Sequence, residues 1–209
     1  MAYAVTMNVP FAYSSNGDAF MEHDFLTGME REIPLDEFPT CDELKARFIA
    51  ESNDGAGMCS EQIAILEQPY YSSQKTYPPR YYQRVAVNKT LDAIARGRDR
   101  LLLVMATGTG KTYTAFQIVY RLLKSGLKKK ILYLADRNIL VDQSISQDFS
   151  PLEKTIHKIN FAKDDPTTIT SHEVYFSLYQ QLTDREDESE DDDAVSRLAA
   201  LFSPDLSRR

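Results

Sequence analysis

A short apolar run that ends in a glycine-containing turn constrains the fold of this chain more than any other feature. Residues 101–112 read Leu-Leu-Leu-Val-Met-Ala-Thr-Gly-Thr-Gly-Lys-Thr. Glycines let the backbone turn tightly, so that successive N–H groups converge on phosphate, while the lysine supplies an ammonium group and the last threonine a hydroxyl for Mg²⁺. The pattern predicts a loop that binds a nucleoside triphosphate, with Mg²⁺ on Thr112. The loop residues are Thr107, Gly108, Thr109, Gly110, Lys111 and Thr112.

The flanking sequence supports this interpretation, although the pattern is one glycine short. The full consensus has glycine at the position of Met105. The run 101–105 is typical of a buried strand, and apolar residues recur at helical spacing over 112–123. Strand, loop and helix thus follow in the required order. The alternative is an ordinary strand-to-helix turn in which lysine and threonine occur by chance.

A glutamine lies at the start of another predicted helix. Residues 79–83 read Pro-Arg-Tyr-Tyr-Gln, and apolar spacing continues the helix until Gly97. An amide can donate to a ring nitrogen of adenine and accept from its amino group, so Gln83 is a candidate for binding the base of ATP. With its aromatic neighbours, Gln83 resembles the adenine-reading Q motif of superfamily 2 helicases and translocases. The alternative is a solvated glutamine at a helix start.

A second strand and helix follow the loop. Residues 130–137 read Lys-Ile-Leu-Tyr-Leu-Ala-Asp-Arg, and 138–143 read Asn-Ile-Leu-Val-Asp-Gln. Two strand–helix units in series predict a parallel sheet. The segment resembles motif Ia of the same superfamily, and both Arg137 and the helix-start N–H groups suit contact with a DNA phosphate. The alternative is a surface ion pair between Asp136 and Arg137.

A third segment, 173–182, resembles the motif Ib region. Members of the superfamily often carry threonine where Leu178 stands, so DNA contact in this segment is assigned to Tyr179 and Gln180. Alternating aromatic residues are also sufficient for an ordinary core strand.

One family matches more of the chain than the superfamily at large. The segments 79–83, 105–112 and 134–137 together resemble the restriction (R, HsdR) subunit of type I restriction-modification enzymes. The N-terminal region is similar to that family's bridge between nuclease and motor. Its matching segments are Phe-Ala-Tyr-Ser-Ser-Asn-Gly at 11–17, Phe-Leu-Thr-Gly at 25–28, Phe-Pro-Thr at 38–40 and Asp-Glu-Leu at 42–44. The resemblance covers 1–182.

The resemblance implies an α/β fold: a partial RecA-like domain, with a parallel sheet flanked by helices, preceded by a nuclease-domain remnant and a linker. The expected boundaries are 1–50 for the nuclease remnant and bridge, 51–78 for the linker, 79–182 for the partial ATP-binding domain, and 183–209 for an acidic flexible segment and tail. The family couples ATP hydrolysis to translocation on double-stranded DNA and cuts DNA with its nuclease domain. Its partners are specificity and methyltransferase subunits.

The carboxylates that such a motor and nuclease need are missing from this sequence. A Walker B element reads Asp-Glu-x-His or Asp-Glu-x-Asp after an apolar strand, and the Asp-Glu pairs at 36–37, 42–43 and 187–188 do not. Glu43 and Lys45 have the spacing of a nuclease Glu-x-Lys, but the sequence predicts a capped helix start there. We therefore expect a truncated R subunit that binds ATP, hydrolyses it poorly and has no complete catalytic set.

Composition is that of an ordinary globular protein, and cytoplasm is the expected location. The chain has 209 residues, of which 43% are apolar and 26% charged. A net charge of −7 gives no electrostatic support for DNA binding, but eight acidic residues crowd 184–193, which predicts a solvated flexible loop away from any DNA path. Two cysteines and three histidines show no metal or disulfide spacing, and no stretch is long enough to cross a membrane.

Two interpretations from other classes remain open at this point. The chain could be an ATP-binding adaptor module that uses its acidic segment as an interaction tail. It could also belong to another superfamily 2 enzyme, such as a type III restriction subunit or a repair helicase. The N-terminal resemblance favours the type I family over these enzymes.

Overall fold

Two compact units make up the chain, Met1–Leu103 and Val104–Arg209. Within them, the computed structural model describes residues 2–74, 76–159, 164, 171–178 and 180. The first unit contains an antiparallel sheet with helices, and the second contains a parallel sheet with helices. The α/β class is therefore confirmed. The acidic segment predicted over 183–209 lies outside the described residues.

In the first unit, three antiparallel strands follow a short helix. They pair in the order β1-β2-β3, with Tyr13 opposite Glu22 and Glu22 opposite Arg31. The β1–β2 turn forms because Gly17 adopts a φ of +100° and the Asn16 side chain accepts the N–H of Asp18 at 3.0 Å. The elements are α1 (Ala2–Met7), β1 (Phe11–Ser15), β2 (Ala19–Asp24), β3 (Glu30–Pro34), α2 (Cys41–Glu51), α3 (Ser60–Glu67) and α4 (Tyr81–Ala95).

Helix α2 begins with the capping box that its sequence predicts. The Thr40 hydroxyl accepts the N–H of Glu43 at 3.3 Å, and a Glu43 carboxylate oxygen accepts the N–H of Thr40 at 2.7 Å. Lys45 forms an ion pair with Glu67 at 2.9 Å. The Glu-x-Lys spacing at 43–45 is thus part of a helix start, as expected, and both side chains have structural partners.

A buried ionic network joins α2 to the sheet. Arg47 donates to Glu22 at 2.9 Å and to Asp24 at 2.8 Å, and Arg31 donates to Glu22 at 2.7 Å. Glu22 is 1% exposed, and burial of a carboxylate is tolerated here because two guanidinium groups compensate its charge. The network holds the helix on one face of the sheet.

Helices α3 and α4 pack together through apolar and polar contacts. Ile65, Val87 and Leu91 are buried, and the Gln62 amide donates to Asp92 at 2.6 Å. Helix α3 therefore occupies part of the range 51–78 for which the sequence predicts a linker. Helix α4 ends where the sequence predicts, because Gly97 adopts a φ of +76° and its N–H donates to the Ile94 carbonyl.

The second unit is built around three parallel strands. Its described helices and strands are α5 (Lys111–Lys124), β4 (Ile131–Ala135), α6 (Asn138–Ser146), β5 (Ile156–Lys158) and β6 (Val174–Leu178). The strand order is β4-β6-β5, with Ala135 opposite Leu178 at the carboxyl edge. The predicted parallel sheet is thus confirmed, although its described strands are β4, β5 and β6 and do not include the run 101–105.

Aromatic packing forms the core of this unit. Phe149 lies with its ring centroid 5.5 Å from Phe116 of α5, 5.4 Å from Tyr133 of β4 and 5.1 Å from Phe176 of β6. Three elements distant in sequence therefore contact one buried phenylalanine. Strand β6 is buried at four successive positions, as expected for a strand covered on both faces.

The prediction of a strand over 101–105 is wrong for the described structure. No strand is formed there, and the run belongs to neither sheet. Leu102 and Val104 are 90% and 83% exposed. A strand needs a hydrogen-bonded neighbour, and none of the described strands pairs with this run, so an apolar pattern alone is insufficient.

The membrane prediction can be compared with the helices that the structure describes. Among them, none combines the length and apolar character that a bilayer span requires.

Candidate functional site

The predicted phosphate-binding loop lies immediately before α5. Gly108 and Gly110 adopt φ values of +78° and +80°, which residues with a Cβ rarely adopt. Between them, the Thr109 hydroxyl donates to the Ala106 carbonyl at 2.6 Å and closes the turn. Gly110 is the N-cap of α5 and has no side chain to fill the space in front of the first helical N–H groups. The glycines are therefore needed for backbone conformation.

Lys111 and Thr112 occupy the first turn of α5. The exposed Lys111 ammonium donates to the Met105 carbonyl at 3.3 Å, so its side chain folds back over the loop. Thr112 is half-buried at the next position. Thr114, two positions further, is fully buried, and its hydroxyl donates to the Gly110 carbonyl at 3.0 Å. Of these two threonines, Thr112 has the more accessible hydroxyl and is the one adjacent to the loop lysine.

Gln83, the candidate adenine-binding residue, is at position N3 of α4. Its Oε1 accepts the N–H of Arg80 at 2.9 Å, as in a capping box, and the residue is 7% exposed. The solvated glutamine considered as an alternative is therefore not what the structure shows. The hydrogen bond from the Arg80 N–H thus orients the Gln83 amide at the start of α4.

The turn between β4 and α6 carries the candidate DNA residue Arg137. Arg137 is the N-cap of α6, with extended φ and ψ of −139° and 138°, and its side chain is 76% exposed. The Asp136 carboxylate lies 3.9 Å from its guanidinium and is 67% exposed. Such an exposed pair at long distance stabilises little, so the guanidinium retains its capacity to bind an anion.

Gln180 reaches this same turn from the end of β6. Its Nε2 donates to the Asp136 carbonyl at 2.6 Å. The structure thus brings Arg137 and Gln180 to one edge of the parallel sheet. Tyr179, the other candidate in this segment, lies outside the described residues.

The acidic pairs provide no described site for a divalent cation. Asp36 and Glu37 lie in a one-turn 3₁₀ helix, and Asp42 and Glu43 lie in the first turn of α2. The pair at 187–188 is not among the residues that the structure describes. Across the part of the chain that is described, no three histidine, cysteine or acidic side chains converge as metal ligands would.

Comparison with protein-family models shows which family the chain belongs to. A family model described as type III restriction enzyme, res subunit, matches residues 76–201, well over half of the chain. The chain belongs to this family. The matched range begins before α4 and includes Gln83, the loop, Arg137 and Gln180.

The individual relatives with similar sequences are endonuclease subunits of type I restriction enzymes. The endonuclease subunit of EcoAI from Escherichia coli is 43% identical over 204 residues, which cover 96% of this chain and 24% of that subunit. The EcoKI endonuclease subunit from Escherichia coli strain K12 is 48% identical over 66 residues, or 32% of this chain and 6% of that subunit. The resemblance to type I R subunits is thereby confirmed. The chain spans about a quarter of the length of the EcoAI subunit.

A solved structure supports the same relationship. A fragment of an HsdR subunit of a type I restriction enzyme from Vibrio vulnificus matches with a TM-score of 0.66 and 34% identity, covering 86% of this chain and 31% of that one. The partial RecA-like fold expected from the resemblance agrees with this match.

Sequence reasoning missed two backbone groups in these sites. The Met105 carbonyl accepts from Lys111, although Met105 was of interest only as a missing glycine. The Asp136 carbonyl accepts from Gln180, 44 positions away. Every residue has a carbonyl, so the sequence carries no signal for either contact.

Proposed function

We propose that this chain is the ATP- and DNA-binding part of a type I restriction R subunit. The conformation of the loop before α5 is the observation that carries the proposal. Two glycines with positive φ, an ammonium at the first helical position and a hydroxyl at the second match what a triphosphate with Mg²⁺ needs. Lys111 would bind the β- and γ-phosphates, and Thr112 would hold Mg²⁺.

Gln83 is proposed to bind the adenine base. Its amide is already oriented by the Arg80 N–H, which donates to Oε1 at 2.9 Å. An oriented amide loses less conformational entropy on binding than a freely rotating one.

Double-stranded DNA is the proposed polymer partner. Arg137 and the first-turn N–H groups of α6 present positive charge at one edge of the parallel sheet, which suits a phosphate of the backbone. These groups carry no base specificity, so recognition of a sequence is assigned to the specificity subunit of a type I complex, with methyltransferase subunits as further partners.

Hydrolysis is proposed to be weak in this chain. No Asp-Glu pair of the sequence follows an apolar strand with the fourth residue that a Walker B element needs. ATP would therefore bind without a carboxylate to orient the attacking water. In the type I family that the chain resembles, ATP hydrolysis is coupled to translocation on double-stranded DNA.

Calorimetric titration of the chain with Mg²⁺-ATP tests the nucleotide-binding proposal. We expect wild type to bind and Lys111→Ala to bind at least about tenfold more weakly, because a charge-assisted hydrogen bond to phosphate is lost. Lys124→Ala, at the exposed far end of the same helix, is the matched control and should bind like wild type. Equal affinity of wild type and Lys111→Ala would contradict the proposal.

A further inference from the structure

The side chain of Gln180 links the ends of two adjacent strands. Strands β4 and β6 are parallel, with Ala135 opposite Leu178, so the residues after them meet at the same edge of the sheet. There, the Gln180 Nε2 donates to the Asp136 carbonyl at 2.6 Å. A hydrogen bond at this distance and across 44 positions is a specific tertiary contact.

The orientation of the Gln180 amide is fixed by its acceptor. A carbonyl oxygen can only accept, so the nitrogen must face Asp136 and Oε1 must point away. In the described part of the chain, this Oε1 is buried and has no hydrogen-bond partner. A buried oxygen without a hydrogen bond costs free energy. The contact with Asp136 must therefore stabilise this orientation of the amide by more than the unpaired oxygen destabilises it.

The N-cap residue of α6 lies next to Asp136 in the turn that Gln180 contacts. Arg137 is the N-cap of α6, and its side chain makes no capping hydrogen bond. The carbonyl of Arg137 instead starts the helix by accepting from Leu140 and Val141 at 3.1 and 3.3 Å. Gln180 supplies a side-chain anchor to the backbone just before Arg137.

We propose that Gln180 is a positioning residue for Arg137 and does not contact DNA itself. By holding the Asp136 carbonyl, Gln180 keeps the turn in the conformation in which the Arg137 guanidinium faces solvent. A free turn would let the Asp136 carboxylate approach the guanidinium more closely than 3.9 Å and compete with a phosphate. This inference rests on the proposed function, in which Arg137 binds the DNA backbone.

The test compares binding of a fluorescent duplex by the full chain and its variants over a range of salt concentrations. Gln180→Met keeps the length of the side chain and removes the donor. We expect Arg137→Ala to reduce the slope of log affinity against log salt by about one, as expected for one lost phosphate contact. Gln180→Met should weaken binding by about threefold to tenfold and reduce the slope in the same direction.

A double-variant cycle separates positioning from direct contact. If Gln180 acts through Arg137, the double variant should bind no more weakly than Arg137→Ala alone. Additive losses would show an independent contact with DNA and overturn the proposal. Gln143→Met, an exposed glutamine of α6, is the matched control and should bind like wild type.

Hydrogen exchange without DNA gives a second readout. Gln180→Met should exchange several times faster than wild type in peptides covering 136–141 and equally fast in peptides covering 111–124. Unchanged exchange at 136–141 would overturn the positioning role whether or not DNA binds. Failure of wild type to bind any duplex would instead contradict the proposed function, so the two failures are distinguishable.

Discussion

At the scale of single residues, several site side chains also have structural contacts. Gln83 fixes the start of α4 through its contact with the Arg80 N–H, and Lys111 donates to the Met105 carbonyl. Substitution of such a residue by alanine removes both contributions at once. Variants that keep the structural contact are therefore more informative.

Gln83→Glu separates the two contributions of that residue. Glutamate is a preferred residue at N3 of a capping box and still accepts the Arg80 N–H, but it has no amide donor for a ring nitrogen of adenine. We expect the affinity for Mg²⁺-ATP to fall by about tenfold, and the melting temperature to fall by only a few degrees, since the cap is kept but a carboxylate replaces an amide at a buried position. Titration calorimetry and thermal unfolding measure the two quantities.

The control for this variant is Gln143→Glu, which introduces the same charge at an exposed position of α6. Its ATP affinity should equal that of wild type. Unchanged affinity in Gln83→Glu would show that Gln83 is only a helix cap and would remove it from the nucleotide site.

At the scale of elements, the local sequence correctly predicted the start of α2 and the end of α4, but it wrongly predicted a strand over 101–105. The Thr40 cap and the end of α4 at Gly97 depend on side chains within a few positions, so the sequence contains the necessary information. A strand over 101–105 depends on a hydrogen-bonded neighbour that can come from any part of a sheet, and periodicity does not report it.

The ionic network between α2 and the sheet makes stability depend on pH. Burial would raise the pKa of Glu22, but hydrogen bonds from Arg47, Arg31 and Tyr13 lower it from 4.5 to about 2. In the same cluster, burial would raise the pKa of Asp24, but hydrogen bonds from the backbone and from the Glu51 and Arg47 side chains together lower it. Burial and then a hydrogen bond with Asp24 raise the pKa of Glu51. The stabilisation from Glu22 is complete above pH 4.5 and is lost as pH falls towards 2.

Urea unfolding between pH 7 and pH 2 measures this dependence. We expect Glu22→Gln to lower the free energy of unfolding by about 2 kcal/mol at pH 7, since hydrogen bonds to a charged group are lost. Its stability should then fall less steeply than that of wild type between pH 4.5 and 2. Glu32→Gln, at an exposed position of β3, should keep the wild-type profile. If the free energies of unfolding of Glu22→Gln and wild type fell in parallel between pH 4.5 and 2, the result would contradict a stabilising role for ionised Glu22.

At the scale of the whole molecule, the sequence indicates candidate site residues but carries no signal for the contacts between them. The loop over 107–112 is contiguous, so its residue types identify it directly. Arg137 and Gln180 were also predicted, but their link through the Asp136 carbonyl requires the register of β4 and β6. The comparisons identify the family, and the chain spans about a quarter of the EcoAI subunit.

Steady-state turnover of Mg²⁺-ATP by the purified chain, with and without duplex DNA, tests the central claim most directly. The claim is that Lys111 and its loop bind ATP in a chain whose sequence lacks the hydrolytic carboxylates. We expect wild type to bind ATP and to show no turnover above that of Lys111→Ala, whether or not DNA is present. DNA-stimulated turnover that Lys111→Ala abolishes would contradict the claim and would show that another acidic residue holds the metal.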